Sequence, residues 1–324
     1  MQTLSKRLFI GAAMAMAGLA GLAHAAYPER PINMIVSYSP GGGTDLVARA
    51  IAPFIEKYLG NNAKIVIQNR PGAGGEIGFA ALANAAPDGY TLGFINTPNV
   101  ITIPIERKAQ YSVDKFELLA NIVDDPGNFS VHNDSPIRSL KDLAAAAKAR
   151  PGELTVGTTG VGSDDHLALL LFQKIAGVKF NHIPMKGAAD VKGGIIGKQI
   201  DVAAMNIGEA MQAAAGGAPM RQLGTMSLKR SSLSPDVPTF AEQGYSFEMA
   251  SLRGIAAPKG MPADIRRQLV QAIERAAKDP EFQAKAVQYY APLRYLGPDE
   301  FSKVFRQTEE DFRKLWTELP WSDK

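Results

Sequence analysis

The sequence predicts an α/β fold divided into two domains. Strand, glycine-rich turn and capped helix recur in that order along the chain, and the length exceeds what one hydrophobic core usually organises. Alternation of strand and helix further implies parallel sheets.

The first 25 residues stand apart. Lys6 and Arg7 precede an apolar stretch from Leu8 to Ala23, and Ala23-His24-Ala25 offers the small residues of a signal-peptidase site, so the mature chain is expected to start near Ala26. Gly11, Gly18 and Gly21 interrupt the apolar run and no stop-transfer pattern follows, which argues against a retained anchor. Ser5-Lys6-Arg7 echoes a twin-arginine signal with one arginine replaced, which leaves the export route open. Removing residues 1–25 from 324 leaves 299, enough for two domains with sizeable cores. The cut also removes two of the 35 cations, so 33 basic residues face 32 acidic ones, a balance that argues against a nucleic-acid partner. With no cysteine, the chain has no disulfide, no thiol chemistry and no site for N-terminal lipidation.

Pro31 to Ser39 reads as a buried strand that runs into Pro40-Gly41-Gly42-Gly43. Thr44 or Asp45 is placed to cap the next helix, whose apolar residues recur at helical spacing from Leu46 to Tyr58 before Gly60 ends it. The unit repeats: strand Lys64 to Gln68, turn Asn69 to Gly75, an alanine-rich helix to Ala86, and a strand Thr91 to Ile95. After Asp125-Pro126-Gly127 the pattern restarts. A helix near Ser139 to Ala149 precedes the strand Leu154 to Thr158, the turn Thr159 to Ser163 and a helix Asp164 to Ala176. A strand Phe180 to Pro184, the turn Lys186 to Ala189, a helix through Ile196 and a strand Gln199 to Met205 follow. Beyond Pro262 the chain reads as helices punctuated by Pro280, Pro292 and Pro298, the last amphipathic through Leu315.

Four glycine-rich turns thus stand between a strand end and a helix start. Helix N-termini carry unpaired N–H groups and a dipole that favours negative charge, and ligands of open α/β sheets sit at the carboxyl ends of strands. Compact connection is the competing reading for any single turn; four together favour a site for carboxylates. Nucleotide motifs are absent: Gly197-Lys198 is followed by Gln199, Gly72 and Gly74 would need a glycine where Ile77 stands, and Gly160 and Gly162 would need one at Asp165. No Gly-x-Ser-x-Gly elbow occurs. Ser163, Asp164 and His166 lie at one helix start, where capping accounts for them better than a triad does, and His166 reads as a structural histidine. His132, His166 and His182 lack metal-ligand spacing, so neither metal nor cofactor is expected. Asp124-Asp125 and Glu309-Glu310-Asp311 read as solvated surface charge.

Taken together, Tyr27-Pro28-Glu29-Arg30-Pro31-Ile32, Ser39-Pro40-Gly41-Gly42-Gly43-Thr44-Asp45, Asn69-Arg70-Pro71-Gly72-Ala73-Gly74-Gly75 and Ala86-Pro87-Asp88-Gly89-Tyr90-Thr91-Leu92 form a pattern. So do Gly160-Val161-Gly162-Ser163 with His166, Lys186-Gly187-Ala188, Asp236-Val237-Pro238-Thr239 and Ala257-Pro258-Lys259-Gly260-Met261-Pro262. In this order, across the mature chain, they resemble the solute-binding proteins of tripartite tricarboxylate transporters, the Bug family. The resemblance implies a type II periplasmic-binding-protein fold, two α/β domains joined by crossing strands, with a small carboxylate held in the cleft and no catalysis. It implies a monomer that delivers this ligand to integral membrane permease subunits. A protein that presents the ligand to a sensor kinase is the alternative, and an exported hydrolase using Ser163 and His166 a weaker one.

On this reading residues 26–126 and 250–324 form one domain and 127–249 the other, with the crossings near Pro126 and between Phe247 and Ala257. The ligand-binding candidates are Ser39, Gly42, Gly43, Thr44 and Asp45 in the first turn, Gly74 in the second, and Asn96 and Thr97 after the third strand. From the other domain come Thr159, Gly160, Ser163 and His166, Lys186 and Gly187, and Asn206 after its strand. Two positions depart from the family: Met185 stands where a tyrosine is common and Arg253 where tryptophan is. Each is a candidate for ligand choice, with gap filling and surface charge as the respective alternatives.

Overall fold

A computed structural model describes residues 27–322, so the export segment expected over 1–25 lies outside the described residues. In chain order, β1 (Ile32–Val36), α1 (Gly43–Leu59), β2 (Ile65–Asn69), α2 (Glu76–Ala83), β3 (Thr91–Asn96) and α3 (Asn99–Glu106) lead to a long strand, β4 (Phe116–His132). There follow α4 (Leu140–Ala149), β5 (Thr155–Thr158), α5 (Asp164–Ala176), β6 (Asn181–Pro184), α6 (Ala188–Ile196), β7 (Val202–Asn206), α7 (Ile207–Ala215) and β8 (Met220–Thr225). The chain closes with β9 (Ala250–Pro258), α8 (Ala263–Ala277), α9 (Pro280–Gln288), β10 (Leu293–Leu296) and α10 (Pro298–Glu318).

The strands are hydrogen-bonded in the order β2-β1-β3-β9-β4-β7-β5-β6, with β8 and β10 also on β4. The β/α units give the expected parallel pairs, β1 with β2 and β3, and β5 with β6 and β7. The sheets are nevertheless mixed, not purely parallel. β4 and β9 run antiparallel to each other, β9 also to β3, and β4 to β7 and β8. These two strands are not linked to their neighbours by helical crossovers, so nothing imposes a parallel direction on them.

β4 passes through both sheets. From Phe116 to Pro126 it pairs with β9, and from Gly127 to Val131 with β7. Pro126 has no N–H to donate and stands where the partner changes, so the expected break at Asp125-Pro126-Gly127 is a handover within one continuous strand. The first lobe, around β1, β2, β3 and β9, packs Met34, Val36 and Phe94 against Ile51 and Phe54 of α1 and Ile273 of α8. In the second, Phe129 of β4 meets Phe172 of α5 and Phe240 edge-on, with ring centroids 5.6 and 5.3 Å apart. α10 touches both: Phe301 and Phe305 are buried among first-lobe residues, whereas Leu315 and Trp316, with Trp321 just beyond the helix end, pack with the second-lobe cluster. Gly254 lets α10 approach the sheet, since a Cβ there would lie 2.3 Å from the Phe301 ring.

Phe129 has no exposed surface and joins two aromatic neighbours, so Phe129→Ala is expected to cost about 3–5 kcal/mol in urea unfolding followed by circular dichroism. A loss below about 1 kcal/mol would mean that the second half of β4 is not a core strand.

Candidate functional site

The turn after β1 sets the geometry. Gly42 caps α1 in an extended conformation and supplies no side-chain cap, in place of the expected Thr44 or Asp45, so the first N–H groups of the helix are left for other acceptors. Gly43 N–H donates to Glu209 Oε1 of the opposite lobe at 3.1 Å. Asp45 braces the turn: it accepts from Gly41 N–H at 2.9 Å, Asn69 Nδ2 at 2.9 Å and Arg49 Nε at 3.0 Å. Burial works to raise the pKa of Asp45, but these hydrogen bonds outweigh it and hold the carboxyl below its ordinary value.

Arg253 occupies the centre. Its β9 position pairs in register with Asn96 of β3, and the side chain is 2 % exposed, which overturns the surface-charge reading. Its Nη2 donates to Asn206 Oδ1 at 2.9 Å, Asp125 Oδ2 at 3.0 Å and Glu209 Oε1 at 3.1 Å. Asp125, read from sequence as solvated, is likewise buried. Its other oxygen accepts from Gly208 N–H, and desolvation, opposed by the Arg253 charge, pushes its pKa up to about 7. Of this pair only Asp124 fits the surface reading, in an ion pair with Arg294.

Two small cavities flank Arg253, each with about 20 Å³ of free space, room for roughly one water. Of the candidates, Gly42, Gly43, Thr44, Asn96, Thr159 and Asn206 line the cavity beside Asn96. Asn96 Nδ2 donates to Thr44 Oγ1 at 2.8 Å, Thr159 Oγ1 to Asp165 Oδ2 at 2.6 Å, and Asn206 Nδ2 to Asp164 Oδ2 at 2.6 Å.

The remaining candidates line neither cavity, and all but Lys186 hold the turns and lobes in place. Ser39 Oγ donates across the cleft to Asp190 Oδ2 at 2.7 Å, and Thr97 Oγ1 accepts from Leu252 N–H at 3.1 Å, tying β3 to β9. Gly160 and Gly74 meet so closely that a Cβ on Gly160 would lie 2.9 Å from Gly74 Cα, and Gly187 abuts Tyr38. Ser163 caps α5 by accepting from His166 N–H at 3.1 Å. His166 is a structural residue: its Nδ1 accepts from Gly162 N–H at 3.1 Å and its ring stacks on His182 at 3.9 Å. Ser163 and His166 thus each accept a backbone N–H, which fits the capping and structural readings of the two residues. Lys186 is exposed on an outer groove with Met185 and Asp190, because its turn presents Gly187 to the facing lobe. Met185 fills space beside Ile200 in the second lobe.

Sequence reasoning passed over Tyr38, Asn99, Asp125, Asp164, Glu209 and Ser251, which also line the cavities. Glu209 had a readable signal, since Asn206-x-x-Glu209 forms a capping box at the start of α7. Among the described residues, no three His, Asp or Glu side chains are grouped to hold a metal ion.

Residues 47–290 match the family model described as the tripartite tricarboxylate transporter family receptor. The chain belongs to this receptor family. BugT of Bordetella pertussis is 37% identical over 287 residues, 86% of this chain and 84% of that protein. The structure of the periplasmic binding protein BugD superposes with a TM-score of 0.84 at 30% identity, covering 90% of this chain and 98% of BugD. A Rhodopseudomonas palustris protein solved with adipate gives 0.84 at 26% identity, covering 90% and 97%. Members of this receptor family bind solutes, and the two-lobed α/β fold is theirs.

Burial, reinforced by the neighbouring His182, lowers the pKa of His166 to about 3. The unfolded chain therefore binds the extra proton first, so the stability contributed by neutral His166 is complete above about pH 6.5 and is lost as pH falls towards 3. His166→Asn keeps an acceptor for Gly162 N–H without titrating. The stability of wild type minus variant is expected to fall by up to about 1.4 kcal/mol per pH unit below pH 6.5 in urea melts; parallel curves would refute this.

Proposed function

We propose that this receptor captures a small organic carboxylate between its lobes in the periplasm and delivers it to the membrane permease subunits of a tripartite transporter. One observation carries the reading: a carboxylate, that of Glu209, already rests on the Gly43 N–H of α1 and on Arg253, so this junction has the donors and the charge to hold one. The adipate in the R. palustris neighbour supports the same ligand class. The reading includes a signal peptide cleaved near Ala25, a monomeric mature protein, and domains of 26–126 with 250–324 and 127–249.

The lobes stand closed, with Ser39 on Asp190, Gly43 on Glu209, and Thr102 Oγ1 donating to Gly162 O at 2.6 Å. Entry of a ligand requires them to part, by rotation about β4 near Val123–Pro126 and β9 near Met249–Arg253. A ligand that binds only the folded protein raises its melting temperature. A thermal-shift screen of mono-, di- and amino-carboxylates is therefore expected to yield at least one stabilising acid, and a uniformly flat screen would overturn the assignment.

Closure can be tested separately. Gly160→Val introduces a side chain where the lobes touch, so it is expected to keep them apart, with small-angle scattering showing a larger radius of gyration and calorimetry weaker binding of the same acid. Unchanged affinity and compaction would remove Gly160 from the cleft contact.

A further inference from the structure

The cavity beside Asn96 has a charge and hydrogen-bond pattern that narrows the ligand class, on the basis of the carboxylate reading above. Asp164 and Glu209 line it together, and Arg253 is the one cation in its lining. Arg253 is also shared with Asp125, and Asp165 is buried close by. Lys192 is half-buried at the other cavity and does not line this one.

Two buried polar atoms on adjacent strands are unmatched. Arg253 commits Nη2 to Asp125, Asn206 and Glu209, while its Nε finds no acceptor in the protein. Asn96, its register partner, gives Nδ2 to Thr44, and its Oδ1 finds no donor. Buried polar groups are rarely left unsatisfied, so one of these atoms requires an acceptor and its neighbour a donor. A plain dicarboxylate offers acceptors only and would add two negative charges among acids already in excess.

We propose that the ligand is a small amino-carboxylate. Its carboxylate replaces that of Glu209 on Gly43 N–H and Arg253, and its ammonium is held by Asn96 Oδ1, Asp164 and the displaced Glu209. Each amino-carboxylate brings one positive charge that its matched plain acid lacks, so the buried acids gain a counter-ion. It also makes use of the two unmatched atoms, one by each end of the ligand.

Burial holds the carboxyls of Asp125 and Asp164 above their ordinary range. The ionisable groups around them are Tyr38 from the first turn, Asp125 from β4, Asp164 and Asp165 from α5, Lys192 from α6, Glu209 from α7, Arg253 from β9, and Tyr289 and Tyr290 after α9. An arriving ammonium lowers the carboxyl pKa values and expels protons, whereas a dianion raises them and takes protons up.

The test is calorimetry of the intact mature protein at pH 7.5 in two buffers of different ionisation enthalpy. Aspartate, glutamate and alanine are compared with succinate, glutarate and propionate, which lack only the amino group. The expected result is an amino-carboxylate bound about tenfold or more tighter than its matched acid, with protons released, and an Asp164→Asn variant in which that preference shrinks towards parity. Equal or tighter binding of the matched acid, or proton uptake with the amino-carboxylate, overturns this inference and leaves the carboxylate reading intact. Binding of neither series overturns both. The wild-type comparison decides the matter even if the variant does not fold.

Discussion

Arg253 is the interaction on which the rest of the cleft depends. Its guanidinium lies between a first-lobe strand and the start of α7, held by Asp125 on one side and by Asn206 and Glu209 on the other. A buried cation with three acceptors is a demanding arrangement, because removing it would leave two carboxylates facing each other without solvent. Local features fall into line around it. Gly43 must lack a side chain, since a Cβ would sit 2.3 Å from Arg253 Nη1 and 2.5 Å from Glu209 Oε1. Asn206 and Glu209 cap α7 and at the same time contact the arginine, so helix start and lobe contact are one piece of chemistry.

Much of the scaffold was legible because it is local. Hydrophobic spacing and glycine-rich turns place the β/α units; α5 runs over the expected Asp164 to Ala176, and Ser163 caps it. What was not legible is long-range. The antiparallel course of β4 and β9 depends on which strands they meet, and no spacing within either announces it. The same holds at the site: Arg253 meets Glu209 44 residues away and Asp125 128 residues away. Asp124-Asp125 looks like solvated charge because nothing nearby in sequence shows that one carboxylate turns inward. Lys186 misleads in the opposite sense, as a cation beside a glycine turn whose backbone faces the cleft while its ammonium faces solvent.

The fold is kept at modest identity, as the superposition on BugD at 30% identity illustrates. Such tolerance is reasonable where the frame consists of buried aliphatic strands and turn glycines, which many sequences can supply. In this chain Asp164, Glu209 and Arg253 are among the residues that line the cavity beside Asn96, with Arg253 where the Bug resemblance anticipates tryptophan.

The path of α10 gives the molecule an optical property. The helix is 21 residues long, about 30 Å, anchored by Phe301 and Phe305 at one end, with Trp316 in its last turn and Trp321 just beyond its C-terminus, the two tryptophans of the chain. Their rings lie 4.6 Å apart, centroid to centroid, against second-lobe residues. Besides β4 and β9, this helix is therefore a third tether between the lobes, and it and the residues just after it carry both indoles of the protein. Trp321 lies beside Gly162, which accepts from Thr102 of the first lobe, so rotation of one lobe against the other would change the indole's surroundings, and the native emission would report on that contact without any label.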